Sequence, residues 1–201
     1  MNFLAHAYLS FERPKVLVGN FIGDFVRGEL EKQFEKEIVF GILLHREIDA
    51  YTDSHPLVKQ AQELLKPAFH RYSLVITDMY YDHFLSRNWN DYHDQGIASY
   101  TQWVYEVIAS HKPILPKKFL YPFKYMQKEN WLEGYGKMDG LQRSFTGLSY
   151  RTSFDSGMEK APEFLERHYD FFEDNFKHFF QDLILFSKEK LDQIELNYGD
   201  L

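Results

Sequence analysis

Residues 41–56, GILLHREIDAYTDSHP, place a histidine and two carboxylates at intervals of four, as His45, Asp49 and Asp53. Because an α-helix turns by about 100° per residue, this spacing puts His45 and Asp49 on the face that also carries Ile42. An unpaired carboxylate is costly to bury, so such a face requires a cation, a set of hydrogen-bond donors or a metal ion. The segment therefore predicts a helix whose inward face holds either a buried ion-pair network or a metal site.

A second segment repeats this pattern. In SLVITDMYYDHFLSRNW, residues 73–89, Asp78 and Asp82 lie four residues apart on a face shared with Leu85. His83 lies about 100° further round the helix, at the edge of that face. Helix bundles build metal sites in their cores from carboxylates and histidines on facing helices. Two uncompensated acidic pairs would repel each other, so the two segments together favour a cation between them.

A third candidate lies in VGNFIGDFVRG, residues 18–28, where glycines surround Asp24 near a predicted helix end. Glycines allow backbone or ligand to approach closely, and Arg27 is a candidate to bind a phosphate. A helix cap or a simple ion pair would equally explain Asp24. His6, in an apolar context, is more typical of a hydrogen-bonded core histidine than of a metal ligand.

The candidate ligands are mostly carboxylate oxygens, with one or two histidines. Such a set suits Mn²⁺, Mg²⁺ or Fe²⁺ better than structural Zn²⁺. The sequence has no cysteine, no G-x-S-x-G elbow, no Walker loop and no G-x-G-x-x-G motif. Metal-assisted hydrolysis is therefore the class of chemistry that the residues favour.

Apolar residues recur at intervals of three and four along nearly the whole chain. This pattern predicts an all-α fold, a multi-helix bundle that forms a single domain over residues 1–201. The proline-rich segment that ends at Pro122 is expected to be a connector or a broken helix, and the charged end from residue 189 is expected to fray. The predicted helices cover approximately residues 2–10, 14–26, 35–53, 56–66, 72–87, 97–111, 124–133, 138–148 and 157–187.

Composition limits the cellular setting and the partners. Neither a signal peptide nor a run of about 18 apolar residues is visible, and cysteine is absent, which predicts a soluble cytoplasmic protein. The formal net charge of −7 argues against nucleic-acid binding. Residues 111–151, however, hold eight basic and three acidic groups. This basic segment predicts a landing site for an anionic partner, unless its lysines simply form a solvated face.

Several segments, taken in this order, resemble the acyl carrier protein phosphodiesterase family. They are MNFLAHAYLS, VGNFIGDFVRG, GILLHREIDAYTDSHP, DMYYDHFLSRNW and GLSYR. The resemblance runs from residue 1 to about residue 155, with a comparable tail. It implies an all-α enzyme, related to the HD-domain phosphohydrolases, that removes the 4′-phosphopantetheine arm from the serine of holo acyl carrier protein. It also implies a place in fatty acid metabolism and Mn²⁺ as cofactor, with Mg²⁺ or Fe²⁺ as alternatives.

The sequence departs from the usual HD pattern of a histidine, an adjacent His-Asp pair and a distant aspartate. Arg46 follows His45 where that pattern has aspartate. The pair Asp82–His83 reads in reversed order, and Asp24 could stand where the first histidine would be. These departures leave the number of metal ions and the full ligand set open.

The resemblance implies roles for individual residues. Arg27 and Arg46 would neutralise the phosphodiester, and His83 or His6 would supply a proton to the leaving serine. Asp49 is either a ligand or a partner that orients the ligand histidine. The predicted metal ligands are Asp24, His45, Asp49, Asp78 and Asp82.

The basic segment gains a role as well, since acyl carrier proteins are small, acidic and helical. Basic groups would steer such a partner and aromatic residues would anchor it, although the aromatics could instead belong to the core. The predicted partner-binding residues are Lys117, Lys118, Lys124, Arg143 and Arg151. Two other functions stay open: hydrolysis of a nucleotide or another small phosphoester, and binding of carrier protein without catalysis.

Overall fold

Prolines mark the starts of two helices that the periodicity predicts. Pro14 and Pro56 each occupy the first position of a helix, where the missing N–H has no helical partner. The computed structural model describes residues 1–199, and this part of the chain contains helices and short 3₁₀ turns but no strand. The all-α prediction is thus confirmed. The helices are α1 (Phe3–Tyr8), α2 (Pro14–Ile22), α3 (Lys36–Ser54), α4 (Pro56–Phe69), α5 (Ser73–Arg87), α6 (Ile97–Ser110), α7 (Lys117–Glu129), α8 (Trp131–Gly134), α9 (Met138–Ser149), α10 (Ala161–Arg167) and α11 (Tyr169–Gly199).

Two glycines set how closely α2 and α3 cross. A Cβ atom at Gly19 would lie 2.0 Å from the backbone oxygen of Ile38. A Cβ atom at Gly41 would lie 2.1 Å from the backbone oxygen of Val16. Only glycine permits this approach of two backbones. The crossing brings the end of α2 against the middle of α3, where the candidate site is built.

Aromatic side chains fill the space between α5 and α11. The ring centroids of Tyr80 and Phe172 are 4.9 Å apart, and those of Tyr81 and Phe179 are 5.2 Å apart. These rings are fully buried. Large aromatic rings contribute strongly to the stability of a core, so this contact fixes the position of α5. It thereby also fixes the positions of Asp78 and Asp82 on that helix.

The structure corrects the prediction for the proline-rich segment. After a 3₁₀ turn, α7 runs as one helix through Pro122, and the helix predicted at 124–133 is divided between α7 and α8. Proline removes one helical hydrogen bond, but the burial of Phe119, Phe123 and Met126 stabilises the helix nevertheless. Tertiary packing outweighs local propensity here.

The charged end does not fray within the described residues. The last predicted helix is divided into α10 and α11, and α11 continues to Gly199. Leu191 and Ile194 are buried, and Nζ of Lys190 lies 3.3 Å from a carboxylate oxygen of Glu47 on α3. The charges therefore form the outer face of an amphipathic helix. The last two residues of the predicted fraying segment lie outside the described part of the chain.

One hydrophobic cluster extends from Leu4 on α1 to Ile194 on α11. Every longer helix contributes to it, so the helices share a single core. Within residues 1–199, no helix is both long and apolar enough to cross a membrane. The relation to HD-domain proteins stays a prediction.

Candidate metal centre

Two histidines from different helices stack beside one carboxylate. The rings of His6 on α1 and His45 on α3 are 4.1 Å apart, centroid to centroid. Asp49, one turn after His45, places its two carboxylate oxygens 3.2 Å from His45 Nε2 and 3.3 Å from His6 Nε2. One ligand atom from each residue lies within 4.8 Å of the other two. The three side chains could therefore contact a single cation.

Asn20 of α2 fixes both imidazole rings. His6 Nδ1 lies 2.7 Å from the Asn20 side-chain oxygen, and His45 Nδ1 lies 2.8 Å from the Asn20 backbone oxygen. The amide is oriented in turn, since its nitrogen donates to the backbone oxygen of His6 at 2.9 Å. Both oxygens can only accept, so each Nδ1 carries the hydrogen. Each Nε2 of the neutral rings therefore keeps a free lone pair, as a metal ligand requires.

The two Nε2 atoms are among five buried side-chain polar atoms of the described residues that complete no hydrogen bond. Both are buried, and the carboxylate oxygens that lie 3.2–3.3 Å away are not aligned for a regular hydrogen bond. A buried polar atom without a partner is costly, and a bound cation would satisfy both lone pairs at once. Two imidazole nitrogens with carboxylate oxygens suit Mn²⁺ and Fe²⁺. The residues present thus fit a divalent metal ion.

Asp24 reaches this centre from the solvent side. It lies in the 3₁₀ turn Gly23–Phe25 at the end of α2, and its Oδ1 is 3.3 Å from His45 Nε2. Its side chain is 74% exposed, in contrast to the buried histidines. A Cβ atom at Gly23 would lie 2.3 Å from Cγ of His45, so this glycine makes room for the ring. The open side of the centre is therefore the side of Asp24.

The carboxylates control the protonation of His45. Burial lowers the pKa of His45, but the close carboxylates of Asp24 and Asp49 outweigh it and raise the pKa to about 9. Burial and the nearby charge of His45 lower the pKa of His6 to about 4. Burial would raise the pKa of Asp49, yet the two close imidazole rings hold it well below its usual range. The close His45 ring also lowers the pKa of Asp24. A bound cation would replace the proton on His45.

Asp78 of α5 lies beside the centre, with an ammonium group between. The amino group of Met1 is 3.2 Å from Oδ1 of Asp49 and 3.4 Å from Oδ1 of Asp78. Burial lowers the pKa of this amino group, but the two carboxylates raise it to about 10. Burial raises the pKa of Asp78. The Met1 ammonium group thus forms ion pairs with both Asp78 and Asp49, and it lies between Asp78 and the centre.

Asp82 holds the start of α1. Its carboxylate oxygens accept hydrogen bonds from the backbone N–H groups of Leu4 at 2.8 Å and Ala5 at 3.0 Å. Burial raises the pKa of Asp82 to about 7. Both oxygens are therefore engaged in capping a helix terminus. Through this contact Asp82 places α1, and His6 on it, against α5.

The structure does not bring His83 to the centre. Its Nδ1 lies 2.8 Å from the backbone oxygen of Tyr135, and its Nε2 lies 3.2 Å from the hydroxyl of Tyr169. Burial lowers its pKa to about 4. Arg27 is exposed and donates to the backbone oxygen of the residue before it at 3.1 Å. Arg46 is exposed on α3. The predicted roles of these three residues stay predictions.

The predicted partner-binding residues are all exposed. The three lysines lie on α7, Arg143 on α9 and Arg151 just after it. Of the aromatics among them, Phe119 and Phe123 are buried in the core, as the alternative interpretation expected. Tyr121 is 65% exposed and belongs to the surface. Tyr150 is 84% exposed, so the segment presents basic groups together with two exposed rings.

Sequence reasoning missed Asn20 and did not assign His6 to the metal. Both are polar residues inside otherwise apolar stretches, LAHAY and LVGNFIG, and that anomaly was the available signal. The structure brings together Asp24, His45 and Asp49, which were predicted as ligands, with His6.

Fold and site together define an all-α protein with a candidate divalent-metal centre. The family model described as acyl carrier protein phosphodiesterase matches residues 1–183. A protein named acyl carrier protein phosphodiesterase from Enterobacter sp. (strain 638) is 34% identical over 191 residues, which cover 94% of this chain and 99% of that protein. The chain belongs to the acyl carrier protein phosphodiesterase family, which confirms the resemblance.

Two further relatives bear the same name. The protein from Klebsiella pneumoniae (strain 342) is 33% identical over 191 residues, covering 94% of this chain and 99% of its own length. The protein from Salmonella agona (strain SL483) is 34% identical over 181 residues, covering 90% of this chain and 94% of its own length. No solved structure matches this chain.

Proposed function

We propose that this chain hydrolyses the phosphodiester that joins 4′-phosphopantetheine to the serine of holo acyl carrier protein, releasing the apo protein. Membership of the family supports this substrate class. The observation that carries the chemistry is the pair of buried Nε2 atoms on His6 and His45, which face the Asp49 carboxylate at 3.3 and 3.2 Å and complete no regular hydrogen bond among the described residues.

A divalent ion fits these donors, and we propose Mn²⁺, with Mg²⁺ or Fe²⁺ as alternatives. When bound, such an ion polarises a phosphoryl oxygen and lowers the pKa of a bound water. His6, His45 and Asp49 would hold it from the buried side, and Asp24 from the exposed side. Asn20 keeps both Nε2 lone pairs directed at the site.

The open side of the centre fits the approach of a protein substrate. Asp24 is exposed there, and Arg27 follows it by three residues on the surface. A guanidinium binds phosphate oxygens in a planar, bidentate manner, so Arg27 is our candidate to bind the phosphodiester. Because the phosphoserine of a carrier protein must reach the centre, a shallow exposed entrance is what the reaction requires.

The basic surface would orient the acidic carrier protein. Complementary charge raises the rate of encounter, and its effect falls as salt increases. Exposed lysines on α7 supply the charge, and Tyr121 supplies an exposed ring that could anchor the partner. In this proposal the surface contributes to the KM for carrier protein, while the buried centre determines kcat.

The test is to incubate the protein with holo acyl carrier protein, with Mn²⁺ or with a chelator, and to measure the intact mass of the carrier protein. We expect conversion to the apo mass with Mn²⁺ only. His6→Ala and His45→Ala should abolish the conversion, whereas His178→Ala, at an exposed position on α11, should retain it. Full activity with the chelator, or in both centre variants, would contradict the proposal.

The same assay separates the two alternative functions. Turnover of a nucleotide or another small phosphodiester, without turnover of carrier protein, would indicate a small-molecule phosphohydrolase. Metal-independent binding of carrier protein without any mass change would indicate a binding module.

A further inference from the structure

A cavity of about 520 Å³ lies between α1, α5, α7, α8 and α9. Its volume falls within the range of about 300–1,000 Å³ that is usual for small-molecule sites. The walls are mainly apolar, and Phe3, Val75 and Leu148 contribute to them. Arg143 and Arg151 are the charged groups of its α9 side. Glu129 at the end of α7 also lines the wall, so the cavity combines an apolar interior with two arginines and one carboxylate.

This cavity adjoins the candidate metal centre. Three of its wall residues each follow a residue of the centre or its rim directly in sequence, namely Asn2 after Met1, Phe25 after Asp24 and Met79 after Asp78. Two of them also touch, since the Asn2 amide nitrogen lies 2.8 Å from the Met79 sulfur. At these three points the cavity wall is therefore one residue away from the centre or its rim.

The chemistry of the proposed substrate matches this space. On one side of its phosphorus is the serine of a protein, which must stay at the surface. On the other side is an uncharged chain with a branched dimethyl carbon, two amides and a terminal thiol. Such a chain requires apolar contacts and a few hydrogen-bonding groups, and Asn2, Tyr135 and Ser144 supply such groups in the wall.

We infer that the cavity binds the pantetheine arm of holo acyl carrier protein while the phosphate lies at the centre. This inference rests on the proposed function. If the cavity binds the arm, the arm contributes to substrate specificity, because its contacts with the cavity stabilise the enzyme–substrate complex. Diesters without the arm would lose these contacts and, with them, most of their kcat/KM.

Two glycines in the cavity wall are positions where a Cβ atom can be added without a clash. Among the residues that the structure describes, no atom outside their immediate chain surroundings lies within 4 Å of a Cβ built on Gly134 or Gly147. Neither has a positive φ angle. A Cβ at either position thus meets free space, and leucine adds its further side-chain volume at the cavity wall. Gly96 has the same free space but lies outside the cavity, so Gly96→Leu is the matched control.

The experiment measures binding of D-pantetheine, which has no phosphate, by saturation-transfer NMR to the full-length protein and its variants. We expect saturable binding by the wild type and by Gly96→Leu. Gly147→Leu and Gly134→Leu should weaken binding at least about tenfold, and Gly147→Ala should weaken it less, in proportion to added volume. Mn²⁺ affinity and thermal midpoint, measured on the same samples, report whether the centre and the fold are retained.

Absence of saturable binding by the wild type would overturn the inference, as would equal binding by the wild type and both leucine variants. Turnover of holo carrier protein is measured in parallel. Saturable pantetheine binding with no turnover by the wild type would contradict the proposed function but leave the cavity assignment supported. Turnover with no effect of either leucine variant on kcat/KM would overturn the cavity assignment and retain the function.

Discussion

The imidazole of His45 is held between a backbone oxygen at Nδ1 and two carboxylates at Nε2. The backbone contact selects the tautomer, and the carboxylates favour an added proton. Both effects stem from neighbours that are distant in sequence, Asn20 and Asp24, as well as from Asp49 one turn away. One ring can therefore carry either a proton or a cation, and the local charge decides the competition between them.

Direct titration of the metal-free protein tests this arrangement. We expect NMR of the imidazole signals to give a pKa of about 9 for His45 and about 4 for His6. Asp24→Asn should lower the pKa of His45, because it removes a carboxylate that stabilises the imidazolium. Asp192→Asn, at an exposed position on α11, should leave it unchanged. A wild-type His45 that titrates near its ordinary value of about 6.5 would contradict the geometry.

The sign of the pH effect on stability follows from the same shift. The pKa of His45 in the fold lies above its unfolded value of about 6.5. The stabilisation of the metal-free protein by His45 is therefore full below about pH 6.5 and is lost as pH rises through about 9.

Gly23 gives a second test at the same scale. Gly23→Ala would place a methyl group 2.3 Å from the His45 ring, and the ring must move away. We expect Mn²⁺ affinity, measured by calorimetry, to fall at least about tenfold while helix content is retained. Gly96→Ala, where a Cβ meets free space, is the control. Unchanged affinity in Gly23→Ala would show that His45 does not bind the ion in this orientation.

Spacing within one helix was enough to find part of the centre. His45 and Asp49 lie one turn apart, so the sequence alone placed them on one face. His6 and Asn20 come from other helices, and only the close crossing of α2 on α3 and the contact of α1 with α5 bring them to that face. Single-helix periodicity does not encode such contacts, so the sequence could mark these residues as polar anomalies but could not place them at the centre.

At the scale of the elements, α1 has only six residues and does not stabilise itself. Asp82 of α5 accepts hydrogen bonds from two of its first backbone N–H groups. The sequence pattern showed Asp82 on an inward face but could not distinguish a metal ligand from a cap, because both roles require a buried carboxylate. The contacts with Leu4 and Ala5 give it the second role.

Two substitutions at Asp82 separate these roles. Asp82→Ala leaves two buried N–H groups without an acceptor, and we expect it to lower the free energy of unfolding by about 2–5 kcal/mol. Asp82→Asn retains one acceptor oxygen and should lower it less. Urea denaturation measures both, with exposed Asp53→Asn as the control. If Asp82 is instead a ligand, Asp82→Asn should abolish Mn²⁺ binding with little change in stability.

The two corrected helices have one physical cause. Prolines and charges indicated interruption in α7 and fraying in α11, yet both segments bury one apolar face, with Phe123 in α7 and Leu191 in α11. Local propensity is a weak contribution compared with the burial of such a face. The other helices agreed with their predicted positions to within a few residues, because their periodicity and their breaks gave the same boundaries.

At the scale of the whole molecule, charge is separated within one chain. Residues 111–151 carry a net charge of +5, from eight basic and three acidic groups, while the chain as a whole carries −7. The rest of the chain therefore carries −12, which is −7 minus +5. An acidic protein would be repelled by most of the surface and attracted to one part of it. Such separation favours orientation of an acidic partner over general attraction.

Charge reversal on this surface is the prediction that follows. Replacing three basic-segment lysines by glutamate lowers the net charge by six, from −7 to −13, as does replacing three exposed lysines elsewhere. We expect the first variant to raise the KM for carrier protein on the order of tenfold with kcat unchanged, and the second to have a much smaller effect. The first variant changes Lys117, Lys118 and Lys124, and the control changes Lys59, Lys66 and Lys188.

The salt dependence of KM in the two triple variants distinguishes long-range electrostatic steering from direct contact with the partner. Because screening shortens the reach of exposed charges, the difference in KM between the two triple variants should shrink as ionic strength rises from 0.01 M towards 1 M, where the Debye length is about 3 Å. Steady-state kinetics at several salt concentrations measure this difference in KM. Equal KM values for both variants at low salt would mean that total charge, and not its position on α7, governs the encounter. A difference that persists at high salt would instead indicate direct contacts between these lysines and the partner.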